Sequence, residues 1–192
     1  MRVTMIGAGY VGLVSGACFA DFGHHVTCID KDAAKIAALN RGEIPIFEPG
    51  LAELVEANMR QGRLNFAGKA TGVTEADAVM IAVGTPSRRG DGHADLSFVF
   101  DAVREIAPLL SRTAIVVTKS TVPVGTSHKV KEIVAKARPD AQFDVCSNPE
   151  FLREGSAIGD FRRPDRVVVG CDSDRARDVM RSEERRVGKE CA

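Results

Sequence analysis

The residues best suited to chemistry lie near the start of this 192-residue chain. Gly7-Ala8-Gly9-Tyr10-Val11-Gly12 spaces three glycines as GxGxxG, and Asp30 closes the next β-branched run. After a strand and before a helix, that spacing suits a diphosphate. Gly7 permits the tight turn, Gly9 lets the backbone come close to the ligand, and Gly12 lets helix and strand pack closely. The helix amino end, with Tyr10 and Val11, then faces the phosphates. Asp30 would accept hydrogen bonds from the adenosine ribose and repel a 2′-phosphate, which predicts NAD in preference to NADP. It could instead cap the next helix, as could Asp32. Two further groups stand out. Ser120 and Thr121 follow a second β-branched run, and cap the next helix if they bind nothing. Glu150 and Glu154 are four apart, so a helix would put both on one face. Carboxylates so placed resist joint ionisation, which suits a general base near neutrality. The plainer alternative is a surface pair neutralised by Arg153 or Arg162.

These groups need elements to position them. Short apolar runs predict strands at Val3–Ile6, Val26–Ile29, Ala78–Val83, Ala114–Thr118, Phe143–Ser147 and Arg166–Val169. Helical periodicity predicts helices near Tyr10–Phe22, Asp32–Leu39, Gly50–Met59, Leu96–Leu110, Thr126–Ala137 and Phe151–Ile158. Val11, Val14, Cys18 and Phe22 make one apolar face of the first helix. Strands this continuously apolar are buried on both sides, which predicts an α/β fold with a doubly wound parallel sheet.

Composition narrows the partners. Lys and Arg number 26 and Asp and Glu 26, for zero formal charge, with 44% apolar residues. That balance gives no general drive toward nucleic acid or an anionic membrane. The sequence offers no apolar run long enough for a membrane span and no signal-peptide pattern, so a cytoplasmic protein is expected. Five cysteines without CxxC or zinc-type spacing predict reduced thiols, buried for Cys18, Cys28, Cys146 and Cys171. No metal site is expected. Arg181 to Glu190 is mostly charged and loses the apolar face begun at Val179-Met180, so residues 181–192 read as a foreign or out-of-frame tail after a domain spanning 1–180.

Four longer segments are more specific: Lys35 to Leu51 (KIAALNRGEIPIFEPGL), Val83-Gly84-Thr85-Pro86, Lys119 to Thr126 (KSTVPVGT) and Asn148 to Gly155 (NPEFLREG). Together they resemble the amino-terminal NAD-binding domain of the UDP-glucose/GDP-mannose dehydrogenase family, and the stretch from Glu150 to Gly170 looks most like its UDP-glucose branch. The resemblance implies a Rossmann-type domain and oxidation of a sugar C6 alcohol to the carboxylate with two NAD, through an aldehyde, a cysteine-bound thiohemiacetal and a thioester. It implies that Lys35 serves the adenosine end of the cofactor and that Gly84, Thr85 and Pro86 contact the cofactor, while Ser120 and Val122 line the nicotinamide side. Thr121 would help hold the reactive water, Glu150 would act on that water, and Glu154 would reach toward the nicotinamide. The nucleotide sugar would lie along Glu150, Phe151, Leu152, Arg153 and Glu154. The family's nucleophilic cysteine would lie beyond residue 180, so the chain alone is expected to bind NAD without turning over. Whole members of the family are expected to form homodimers. The rival readings are a GDP-mannose or UDP-N-acetylmannosamine enzyme and a non-catalytic NAD-binding regulatory module.

Overall fold

The computed structural model describes residues 1–88, 90, 92–111 and 113–185. A seven-stranded sheet runs in the order β3-β2-β1-β4-β5-β6-β7. In chain order the strands are β1 (Arg2–Ile6), β2 (His25–Ile29), β3 (Leu64–Ala67), β4 (Ala78–Ile81), β5 (Ile115–Thr118), β6 (Asp144–Ser147) and β7 (Gly170–Cys171). All neighbours pair in parallel except β6 and β7. The helices are α1 (Tyr10–Asp21), α2 (Ala33–Asn40), α3 (Leu51–Arg60), α4 (Ser97–Ile106), α5 (Thr126–Ala137), α6 (Ala157–Arg162) and α7 (Asp174–Arg185). One core takes side chains from α1, α2, α3, α6 and α7, and the other takes them from α4 and α5. The doubly wound fold expected from the strand pattern is the one observed. No helix among the described residues is long and apolar enough to cross a membrane.

Register explains how distant motifs meet. Ile6 pairs with Ile29 on one side and Ile81 on the other, Ile81 pairs with Thr118, and Thr118 pairs with Ser147. The chain therefore leaves these strands at one common edge, where Gly7, Asp30, Ala82, Lys119 and Asn148 emerge together. Strand order reverses between β1 and β4, the place where open α/β sheets leave a crevice for ligands.

Several expectations need correction. β3 was not anticipated, because an edge strand that buries only alternate residues carries no continuous apolar run. The apolar stretch Arg166–Val169 forms no ladder. Its Val168 carbonyl accepts from the Asn148 amide at 3.0 Å, and pairing begins only at Gly170, antiparallel. Phe151–Gly155 is not helical, and α6 starts at Ala157. The Gly155 amide, which a helix from Phe151 would turn onto the Phe151 carbonyl, goes instead to Glu48 Oε2 at 2.8 Å, and Gly155 takes φ +83°. The first helix buries Gly12 through Ala20 almost all round, so its sequence stripe understates its burial. At the carboxyl end α7 continues to Arg185. The rest of the presumed foreign tail, with Cys191, lies outside the described residues. Cys18, Cys28 and Cys146 are buried free thiols, whereas Cys171 is only partly buried. Burial pushes both the Cys18 and the Cys28 thiols up to about 12.

Candidate functional site

The first cleft, about 450 Å³, opens beside the β1/β4 reversal and is lined by Gly7, Gly9, Asp30, Lys35, Gly84 and Pro86 among others. Its floor is backbone. Gly7 has φ +103°, and a Cβ there would come within 2.7 Å of the Ala82 carbonyl oxygen. A Cβ on Gly12 would overlap the Gly7 carbonyl, while one on Gly9 would meet nothing within 4 Å. Two glycines are thus demanded by the fold, and the third faces open space where a ligand would come close. Gly9 begins α1 without offering a side-chain cap, which leaves the first-turn amides to an anion.

Asp30 does two jobs. Its Oδ2 accepts from Ala8 N–H at 2.9 Å and from Lys35 Nζ at 2.8 Å, and its Oδ1 accepts from Asp32 N–H at 3.0 Å. Desolvation works to raise its pKa, but the Lys35 ammonium and the two amides prevail and hold it below the ordinary carboxylate value. The helix-cap alternative falls to Asp32, which accepts from Ala34 and Lys35 amides at 3.0 Å. Lys35 is no solvated bystander, since it braces the acid that braces the glycine turn. Lys31 and Phe98 also line the cleft, with the ammonium 5.5 Å from the ring centroid. Nothing in the sequence pattern singled out Phe98.

The hydroxyls divide. Ser120 is buried and donates to the Val83 carbonyl at 2.7 Å, which ties the end of β5 to the end of β4. Thr121 is exposed, and its carbonyl accepts the Thr85 hydroxyl at 3.4 Å. The helix that follows starts at Thr126 behind Gly125, so neither Ser120 nor Thr121 caps it.

A second cleft, about 340 Å³, lies under the Asn148–Arg153 segment and includes Glu150, Phe151, Leu152 and Arg153. Glu150 and Glu154 do not share a helical face, because the segment is a loop. Glu150 turns back on the Leu152 amide, and Glu154 is exposed. Neither arginine neutralises them. Arg153 forks onto Asp160 through Nε and Nη2 at 3.1 and 2.7 Å, and Arg162 bonds Asp21 at 2.8 Å. At the base of this cleft Lys119 is 4% exposed, donates to Asn148 Oδ1 at 3.0 Å and stands 5.6 Å from the Phe161 ring centroid. Burial pulls its ammonium down to about 8, and the Glu150 charge works the other way. Lys119 opens the KSTVPVGT segment, yet a lysine is ordinarily a surface residue, so nothing in the sequence marks it as buried.

Between the clefts, Tyr10 at the start of α1 donates its hydroxyl to Glu48 Oε2 at 2.5 Å. Glu48 was likewise unassigned. Its signal was confined to the FEPG stretch in which it stands.

A parallel sheet with a bare glycine turn and an acid one strand later defines a Rossmann-type dinucleotide-binding domain. Comparison with known proteins narrows the class. Residues 1–183 match the model of the UDP-glucose/GDP-mannose dehydrogenase family, NAD binding domain, and the chain belongs to that family. It is 63% identical over 183 residues to the UDP-glucose 6-dehydrogenase of Rhizobium meliloti, covering 94% of this chain and 42% of that protein. A second relative, the UDP-glucose 6-dehydrogenase of Pseudomonas aeruginosa, is 48% identical over 186 residues, covering 94% of this chain and 41% of the relative. Among solved structures, a UDP-glucose dehydrogenase from the archaeon Pyrobaculum islandicum superposes with a TM-score of 0.92 at 41% identity, over 97% of this chain and 44% of that one. A GDP-mannose dehydrogenase from Pseudomonas aeruginosa reaches the same TM-score at 35% identity, over 96% and 44%. The chain thus spans less than half the length of these relatives. NAD is the cofactor of the family domain it matches.

Proposed function

We propose that this chain is the NAD-holding part of a UDP-glucose 6-dehydrogenase, which oxidises the C6 alcohol of UDP-glucose to the carboxylate of UDP-glucuronate. The observation that carries the reading is the 63% identity to the Rhizobium meliloti enzyme, over a span too long to leave out the Glu150–Gly155 loop. GDP-mannose and UDP-N-acetylmannosamine remain the rival substrates that the test must separate.

The cleft residues fit the cofactor. Gly9 leaves space where a side chain would block the diphosphate, the α1 amides face that space, and the Asp30 carboxylate stands beside it for the ribose. When bound, NAD supplies the hydride acceptor. The chain's own groups do the rest. Asp30 and Lys35 hold the adenosine end, with Tyr10 and Val11 at the amino end of the first helix. Gly84, Thr85 and Pro86 form the facing wall, and Ser120 and Glu154 serve the nicotinamide side. Glu150 is the proton acceptor for the water that ends the sequence, and Thr121 orients that water. Phe151, Leu152 and Arg153 line the sugar nucleotide's path. The work belongs to polysaccharide precursor supply in the cytoplasm, by a homodimer of the longer protein.

Two measurements test this. Calorimetric titration of the chain should show NAD binding and NADP binding more weakly, and no heat with NAD overturns the reading. The full gene product should reduce NAD with UDP-glucose in preference to GDP-mannose or UDP-N-acetylmannosamine, whereas the 192-residue chain should give no sustained NADH signal. Either opposite result sinks the corresponding half of the proposal.

A further inference from the structure

Glu48 is 7% exposed, and its partners are neutral donors. Its Oε2 accepts from the Tyr10 hydroxyl at 2.5 Å and Gly155 N–H at 2.8 Å. Its Oε1 accepts from Ile158 N–H at 3.4 Å, and the Ala157 amide also bonds it. The Tyr10 oxygen in turn accepts from Gly155 N–H at 3.2 Å. A carboxylate removed from water is tolerable only when such donors are all in place, so their positions are strongly constrained. Those donors come from two segments remote in sequence. Tyr10 opens the helix at whose amino end the glycine turn sits, and Gly155 ends the loop that carries Glu150 and Glu154.

We propose that Glu48 is a positioning residue that clamps the glycine turn, through Tyr10, to the Glu150–Gly155 loop, through the Gly155 amide. The clamp rests on the reading that the first cleft holds the dinucleotide and the second the sugar. It sets their separation before either ligand arrives, as reaction between two bound partners requires. It also gives a role to the FEPG stretch in which Glu48 stands.

The chain has one tyrosine and no tryptophan, so absorbance at 295 nm reports Tyr10 alone. Burial, then the hydrogen bond and charge of Glu48, push its phenol up to about 12, with a smaller push from the Glu154 charge and an opposing pull from the Gly155 amide. In Glu48→Gln the ionised fraction at pH 10.5 should rise about tenfold. The Gly155 and Ile158 amides should exchange roughly ten- to a hundredfold faster, and NAD should bind several-fold more weakly. A role confined to capping α6 would not move the Tyr10 titration. Unchanged Tyr10 titration and Gly155 exchange overturn the clamp. Both changes with NAD affinity intact confine Glu48 to the loop and overturn the coupling. If Glu48→Gln does not fold, Tyr10→Phe keeps the Glu48 amide bonds. That variant should still speed Gly155 exchange several-fold, and no acceleration overturns the proposal. Failure of the unaltered chain to bind NAD shows before any variant is made, and it sinks the functional reading and the coupling with it.

Discussion

Two clefts share one edge of the sheet, yet they are made from different materials. The cleft beside β1 is built from backbone: a glycine turn, the first amides of α1, and one carboxylate fixed by Ala8, Asp32 and Lys35. The cleft under the Asn148–Arg153 segment is built from side chains on irregular chain, held by Asn148, Asp160 and Glu48. A site made of backbone needs residues that leave something out. A site made of loops needs residues elsewhere that hold the loop still. The first tolerates no added atom where the chain passes itself, whereas the second is sensitive to losing a distant charge.

Gly12→Ala should give the largest effect. Its Cβ would overlap the Gly7 carbonyl, so the unfolding free energy should drop by about 3 kcal/mol or more, with NAD binding lost. A urea melt within about 0.5 kcal/mol of the unaltered chain would break the claim that backbone packing sets the first cleft. Asp30→Ala comes next. Loss of charge-assisted bonds worth roughly 1.5–3 kcal/mol should weaken NAD about 10- to 100-fold, and an unchanged dissociation constant by calorimetry removes Asp30 from the site.

Lys119→Met probes the second cleft. The folded ammonium titrates at about 8, against an ordinary 10.5. Between those values the unfolded chain binds more protons, so Lys119 makes stability rise with pH from about 8 to 10.5, and below about 8 its burial penalty is fully present. The difference between the unaltered chain and Lys119→Met should change by about 3 kcal/mol across that window, and a flat difference in denaturant melts contradicts the buried amine. The smallest structural effect is expected for Gly9→Ala. Its Cβ meets nothing within 4 Å and its φ of −78° suits alanine. The melt should move by less than about 0.5 kcal/mol while NAD weakens up to about tenfold, and equal loss of stability and binding would erase the distinction between fold glycine and ligand glycine.

The same division decides what could be read in advance. The turn from Gly7 to Gly12, the acid at Asp30 and the central strands were legible because each rests on local pattern: glycine spacing, a carboxylate at a strand end, continuous apolar runs. The expected Phe151–Ile158 helix and Arg166–Val169 strand do not form as such because Glu48 takes the Gly155 amide and Asn148 takes the Val168 carbonyl. Those claims depend on where other segments lie. Glu48 and Lys119 went unassigned for the same reason, since a charged residue in an ordinary stretch gives no sign of being buried until its neighbours are known.

Periodicity and glycine spacing by themselves determined a doubly wound sheet with a tight glycine turn after its first strand, because each hydrophobic run and each glycine acts through its own few neighbours along the chain. Only the tertiary structure decided which carboxylate braces the turn, how the Glu150 loop is held, and that Lys119 lies buried. Those outcomes follow from amides and charges of remote segments being brought together away from water, where each must find a partner.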